Sequence, residues 1–262
     1  MPQSKIISMA RIAVFDSGLG SLSIIKPIQR ICKTEIIYFA DQQNFPYGNK
    51  TKKQLEQIIK KSIDLLETEF NPELIVVGSN TPTILLEYTN KKIIGVNPPI
   101  KEAAKKTNTN NIAILATETV VKGKILSNYI RKFKISNTIK VHKVNASNLV
   151  QLVESGKFIE NKAYCKKIVK NSLKDIFMKN KVDTVTLSST HLVFLKSILK
   201  SEFPNIHFID PGDSVAKKVF EKIKTRQSKR NSLKIFSSDQ TGIFQKNLNQ
   251  LGIKNKIKFL SI

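Results

Sequence analysis

The chain has 262 residues, 40% of them apolar and 7% aromatic with no Trp, which suits one large globular domain or two modest ones and excludes an intrinsically disordered chain. No run of about 18 apolar residues occurs, so no membrane-spanning helix is expected. The net charge is +24, but lysine carries nearly all of it; arginine, which forks phosphates and reads bases, stands only at positions 11, 30, 131, 226 and 230, and specific nucleic-acid binding is not expected.

The opening "MPQSKIISMA" lacks the basic, then apolar, then small pattern of an export signal, and the expectation is a cytoplasmic protein. The first strand is expected in "RIAVFDSG". The turn that follows, "FDSGLGS", places Asp16, Ser17, Gly18 and Gly20 where glycine would let the backbone approach a ligand and Ser17 or an N–H would grip an anion. Cys32 lies in "QRICKTE" on an expected helical face. "EIIYFAD" is the second strand. "FPYGNKT" then sets Pro46, Tyr47 and Gly48 in a rigid turn before a helix. In that helix, "TKKQLEQIIKKSIDLLETEF", Leu55, Ile58, Ile59, Ile63 and Leu66 share one face with lysines opposite. "ELIVVGSNT" is the third strand and ends at Ser79, Asn80 and Thr81. "KIIGVNPP" is the fourth.

A polar stretch near residues 98–111, "KKTNTNN", marks a boundary. Beyond it come four more strands: "NIAILATET", "IKVHKVNAS", "VDTVTLSSTH" and "IHFIDPGD". Between the second and third of these, "LVQLVESGKF" carries Glu154 and "NKAYCKKIVK" carries Cys165. The two cysteines have no paired spacing and read as reduced thiols; no cluster of Cys and His suggests zinc. A linker, "KTRQSKRNS", precedes a strand-like "LKIFSS" and a tail too short to fold alone, which is expected to pack back onto one of the lobes.

Short β-branched runs alternating with amphipathic stretches indicate an α/β fold of mainly parallel sheets flanked by helices. The eight strands fall into two matching sets of four. In each set the third strand ends in a serine-centred turn and the fourth at proline, the pattern of an internal pseudo-duplication. The expected division is residues 1–97 with 211–262 in the first lobe and 98–210 in the second. In parallel α/β sheets, ligands bind beyond the carboxyl ends of the strands, so Ser79 and Ser189 are expected on opposite sides of one cleft. Thr190 and His191 follow Ser189 and would share it.

The succession FDSG, PYG, SNT, GVNP, LVxLVE and STH resembles the glutamate racemase family, within the aspartate/glutamate racemase superfamily, along nearly the whole chain. The resemblance implies two similar α/β lobes, no pyridoxal phosphate and no metal. It also implies a small acidic amino acid, glutamate, as ligand and D-glutamate for peptidoglycan as product; a homodimer is compatible with it. In the family two cysteines, one per lobe, remove and return the α-proton on opposite faces. By position, the resemblance puts Ser79 and Ser189 at those cysteine sites. It makes Asp16, Glu154 and His191 the acidic and basic helpers. It makes Asp16, Ser17, Tyr47, Gly48, Asn80, Thr81, Thr190 and His191 binding groups, with Thr117 and Thr119 of "ATETV" in a further matching segment.

The departures fall on the chemistry. The family's "CNT" is "SNT" here, its "GCTHYP" is "SSTHLV", and its double glycine after FDSG is Gly20-Ser21. A cysteine near pKa 8.5 is a few per cent thiolate at neutral pH, whereas a serine hydroxyl is far less acidic and needs a partner to take its proton. The expected loss is several powers of ten in rate, on the order of 4 kcal/mol. Two alternatives therefore stand beside a racemase: a catalytically silent relative that binds an acidic amino acid or a partner protein, and a proton transfer on another dicarboxylate run by Asp16 and His191.

Overall fold

The computed structural model describes residues 10–86, 91–223, 230–239 and 242–262. The leader before residue 10 and most of the expected linker, residues 224–229, lie outside them. The strands are β1 (Arg11–Asp16), β2 (Glu35–Ala40), β3 (Leu74–Val77), β4 (Ile93–Gly95), β5 (Asn111–Ala116), β6 (Lys140–Asn145), β7 (Thr184–Leu187), β8 (His207–Ile209), β9 (Ser232–Ser237) and β10 (Ile257–Phe259). The eight apolar runs read from the sequence are the first eight of these.

Two sheets result, with orders β10-β9-β2-β1-β3-β4 and β6-β5-β7-β8, and every pairing is parallel. The segment β2-β1-β3-β4 and the whole second sheet follow the same order, second-first-third-fourth, as a duplicated unit would. The tail extends the first sheet: β9 pairs with β2 in register from Glu35↔Ser232 to Ala40↔Ser237, and β10 pairs with β9. The helix Gly212–Ile223 also returns to this lobe, burying Val215, Ala216 and Val219 with Ile24, Ile25 and Ile28.

In each sheet the winding direction reverses between the first and third strands. At such a switch point the two following loops diverge and leave a crevice. β1 and β3 end there at Asp16 and Val77; β5 and β7 end at Ala116 and Leu187. The duplication thus sets four turns, beginning at Ser17, Gly78, Thr117 and Ser188, at equivalent places on two facing lobes.

The helix Lys52–Phe70 shows how local chemistry fixes an element. Thr51 accepts the Gln54 N–H at 3.3 Å while the Gln54 side chain accepts the Thr51 N–H at 2.9 Å, a capping box that satisfies two orphan donors. Asn71 closes the other end in the left-handed region at φ 41°. Leu55, Ile59, Ile63 and Leu66 are buried as the spacing predicts, and Ile58 is half-buried at the edge of the same cluster. Cys165 lies on the helix Lys162–Lys179, but Cys32 does not lie on a helical face: it is the extended residue that ends the helix Leu22–Ile31. Both thiols are free and buried.

Ile59 is fully buried among Ala13, Phe15, Ile37 and Phe39. Ile59→Ala is expected to lower the unfolding free energy by about 2–5 kcal/mol, read from the midpoint of a urea titration.

Candidate functional site

A cavity of about 500 Å³ lies between the lobes, at the switch points of both sheets. Ser79 and Ser189 both line it. Asp16, Ser17, Tyr47 and Gly48 reach it from the first lobe with Asn80 and Thr81; Thr117, Thr119 and His191 reach it from the second. A second cavity, of about 460 Å³, opens beside Pro98, Tyr129 and Phe133, and none of the residues singled out from the sequence reaches it.

The rim is bridged from lobe to lobe. The Thr81 and Thr117 hydroxyls meet at 3.3 Å, and the Thr119 hydroxyl donates to the Gly48 carbonyl. The Tyr47 hydroxyl does not serve the cavity. It donates to Asp41 Oδ2 at 2.9 Å, and Asp41 also accepts from the Asn44 amide and from Ser238 at the end of β9. Burial pushes the Asp41 pKa up, with the Asn44, Tyr47 and Ser238 bonds working against it. The tail thereby braces the "PYG" turn from behind. Asn80 donates from Nδ2 to the Val96 carbonyl at 2.8 Å, while its Oδ1 is buried with no hydrogen-bond partner.

The inner wall holds the charged groups. His191 Nε2 meets Glu154 Oε1 at 2.5 Å, and the same oxygen accepts the Leu19 N–H at 2.7 Å. His191 Nδ1 faces Ser189 Oγ at 3.4 Å. Asp16 accepts the Ser17 N–H on Oδ1 at 2.7 Å and the Thr190 hydroxyl on Oδ2 at 3.3 Å. Glu154 and Thr190 do not line the cavity; they stand behind His191 and Asp16 and hold them. The Ser79 hydroxyl, by contrast, makes no hydrogen bond among the described residues; Ser79 is engaged only through its carbonyl, which takes the Thr83 hydroxyl at 2.8 Å.

Burial dominates the Asp16 carboxyl and raises its pKa to about 6, against the opposing pull of the His191 charge and the Ser17 N–H. Burial alone would depress the His191 pKa. The Glu154 charge, its hydrogen bond and the Asp16 charge together outweigh burial, and the pKa lies above the ordinary 6.5.

Gly18 and Gly20 serve a different end from the expected approach of backbone to ligand. A Cβ on Gly18 would lie 2.2 Å from Glu154 Oε1, and one on Gly20 2.4 Å from Thr190 Oγ1 and 2.6 Å from the His191 ring. These glycines let the first lobe's turn close on Glu154, Thr190 and His191 of the second lobe. Glu154 is therefore no solvated helix end but a carboxylate shared between lobes.

Several lining residues were not singled out from the sequence: Ser188, Glu118, Lys122, Ser147 and Gln151. Glu118 and Lys122 pair with each other, four residues apart on one helical turn, and the Glu118 N–H donates to Ser147 Oγ at 2.9 Å. That spacing was legible as a surface pair; its place at the mouth of a cavity was not. Among the described residues no group of three or more His, Cys, Asp or Glu is placed to hold a metal ion, and no helix is long and apolar enough to cross a membrane.

No family model matches the chain. Among curated proteins it is similar to the glutamate racemase of Buchnera aphidicola subsp. Schizaphis graminum, at 31% identity over 227 residues, 84% of this chain and 88% of that one. Among solved structures it is similar to a glutamate racemase isoform of Bacillus anthracis, with a TM-score of 0.82 at 22% identity over 97% and 98% of the two chains. The Escherichia coli glutamate racemase, solved in complex with L-glutamate and an activator, gives 0.81 at 23% over the same shares.

Glu154→Gln removes the charge that raises the His191 pKa. The His191 titration, followed by NMR of its ring protons, is expected to move to lower pH in that variant; an unmoved midpoint would show that Glu154 does not set it.

Proposed function

The chain belongs to the glutamate racemase family, and we propose that it binds glutamate in the interlobe cavity with the α-carbon between Ser79 and Ser189, for proton transfer at that carbon without a cofactor. The observation that carries this reading is that the two serines, from equivalent turns of the two lobes, line one cavity. The catalytic unit comprises both lobes, residues 1–97 with 211–262 facing 98–210.

Asn80 lines the cavity next to Ser79 and is assigned to the α-ammonium. Ser17, Thr81, Thr117 and Thr119 offer hydroxyls to the two carboxylates, and Gly48 and the Tyr47 ring close the wall. Asp16 and His191 adjust the proton inventory beside the α-carbon, with Thr190 and Glu154 as their anchors. The Escherichia coli relative, solved with L-glutamate, supports the ligand. Where both faces transfer the proton, the product is D-glutamate for peptidoglycan, made in the cytoplasm.

The serine pair sets the rate. A thiolate exists in advance of reaction, whereas a serine hydroxyl must lose its proton as it takes one from carbon. Turnover is therefore weak beside that of a cysteine pair. The double variant Ser79→Cys with Ser189→Cys is expected to raise racemisation, followed by circular dichroism of glutamate, by about three powers of ten, equivalent to roughly 4 kcal/mol. A double variant that binds glutamate but gains no racemisation would sink the proposal.

A further inference from the structure

We infer that proton exchange in this cavity is confined to the Ser189 face, so that the chain exchanges the α-hydrogen of one enantiomer of glutamate with retention of configuration rather than inverting it. This rests on glutamate occupying the cavity as proposed above. The ground for it is an asymmetry that the duplicated frame conceals. The two serines occupy equivalent turns, but the titratable groups of the inner wall gather on one side. His191 meets Ser189 and Glu154, and Asp16 meets Thr190 of the same turn. None of the three is hydrogen-bonded to Ser79. Both Asp16 oxygens are engaged, by Ser17 and Thr190. The charged groups at the mouth, Glu118 and Lys122, are paired with each other.

For a hydroxyl this difference decides the chemistry. The Glu154 carboxylate can only accept, so the neutral imidazole carries its hydrogen on Nε2 and turns a lone pair on Nδ1 toward Ser189. Ser189 Oγ takes the α-proton while its own proton passes to His191 Nδ1. The electron pair of the broken C–H bond stays on the substrate as an enolate-like carbanion, and the new imidazolium remains paired with Glu154. The 3.4 Å separation is that of a site that tightens on its substrate. Reversal along the same path restores the hydroxyl, the imidazole and the original configuration. In heavy water the Ser189 hydroxyl, which now carries the former α-hydrogen, exchanges it with the solvent before reversal, and a deuteron returns to the carbon. Inversion would need a proton from Ser79, which would be left an alkoxide with no hydrogen-bonded acid among the described residues to return that proton.

The active form is the neutral imidazole. His191 is faced by Glu154 from the helix Ser147–Glu154 and by Asp16 from β1; Tyr38 of β2 stands beside both carboxylates. The two carboxylates hold the imidazolium, so the neutral ring is populated only at higher pH than for a free histidine. Exchange is expected to rise with pH above the ordinary 6.5.

The test is to incubate the full chain with L-glutamate and, separately, D-glutamate in heavy water. The α-hydrogen is followed by proton NMR, configuration by chiral chromatography and binding by calorimetry. The expected result is exchange of one enantiomer at least about tenfold faster than the other, a difference of about 1.4 kcal/mol, with no opposite enantiomer accumulating. The rate should climb with pH, and both His191→Asn and Ser189→Ala should abolish it while glutamate still binds. Equal exchange of both enantiomers, inversion at the rate of exchange, exchange that survives either variant, or binding of both enantiomers without exchange would overturn the inference and leave the proposed ligand intact. Failure of either enantiomer to bind would overturn the proposed ligand and the inference with it.

Discussion

One carboxylate holds the architecture of the site together. Glu154 Oε1 accepts the backbone N–H of Leu19 from the first lobe and pairs with His191 of the second. Glu154 is only partly exposed, and both partners share the one oxygen that faces the seam. Their simultaneous presence draws the turn after β1 against the turn after β7. Gly18 and Gly20 give the room that contact needs. The Ser23 hydroxyl on the Thr190 carbonyl, at 3.0 Å, and Thr190 on Asp16 continue the same seam.

Everything at the cavity's inner wall follows from that seam. It sets the His191 ring with one nitrogen on Glu154 and the other toward Ser189. It removes Asp16 from water and so raises its pKa to about 6. The outer rim is lighter, made of hydroxyl contacts between Thr81 and Thr117 and between Thr119 and Gly48. A frame clamped on one side and laced by neutral groups on the other is suited to admit a ligand at the rim without disturbing the charged wall. The C-terminal tail has a part in this. Through Ser238 and Asp41 it holds the Tyr47 hydroxyl, so that the "PYG" turn presents a fixed wall rather than a free phenol.

A hydroxyl rather than a thiol at Ser79 and Ser189 shapes what the proposed chemistry asks of the wall. A cysteine at either place would bring its own accessible pKa. A serine depends wholly on its neighbours, and the neighbours are unequal. The internal duplication reproduced the strands and turns in both lobes, but the imidazole and its carboxylate belong to one lobe only. Symmetry of backbone and asymmetry of charge coexist in the same cavity.

Much of this was legible in the chain. The eight runs are strands because continuous β-branched residues suit a covered sheet, although β6, at the edge of its sheet, keeps most of its residues exposed or half-buried. The repeat of "GSNT" and "SSTH" at the ends of equivalent strands was enough to expect two lobes and one cleft. The glycines of "FDSGLGS" were visible but misread: a glycine marks a close approach without saying what approaches, and here it is the other lobe's Glu154, Thr190 and His191. Glu154 stands out in the chain only through the family resemblance, because nothing in its neighbours reveals a partner 37 residues away. Glu118, Lys122, Ser147 and Gln151 carried no mark of a place at the cavity. Local sequence thus determined the elements, their order and the residues offered to the cleft, because those depend on neighbours a few positions apart. Which side chains touch, which charges are buried and which serine has a base beside it were decided only by the packing of two lobes, where groups distant in the chain share one desolvated space.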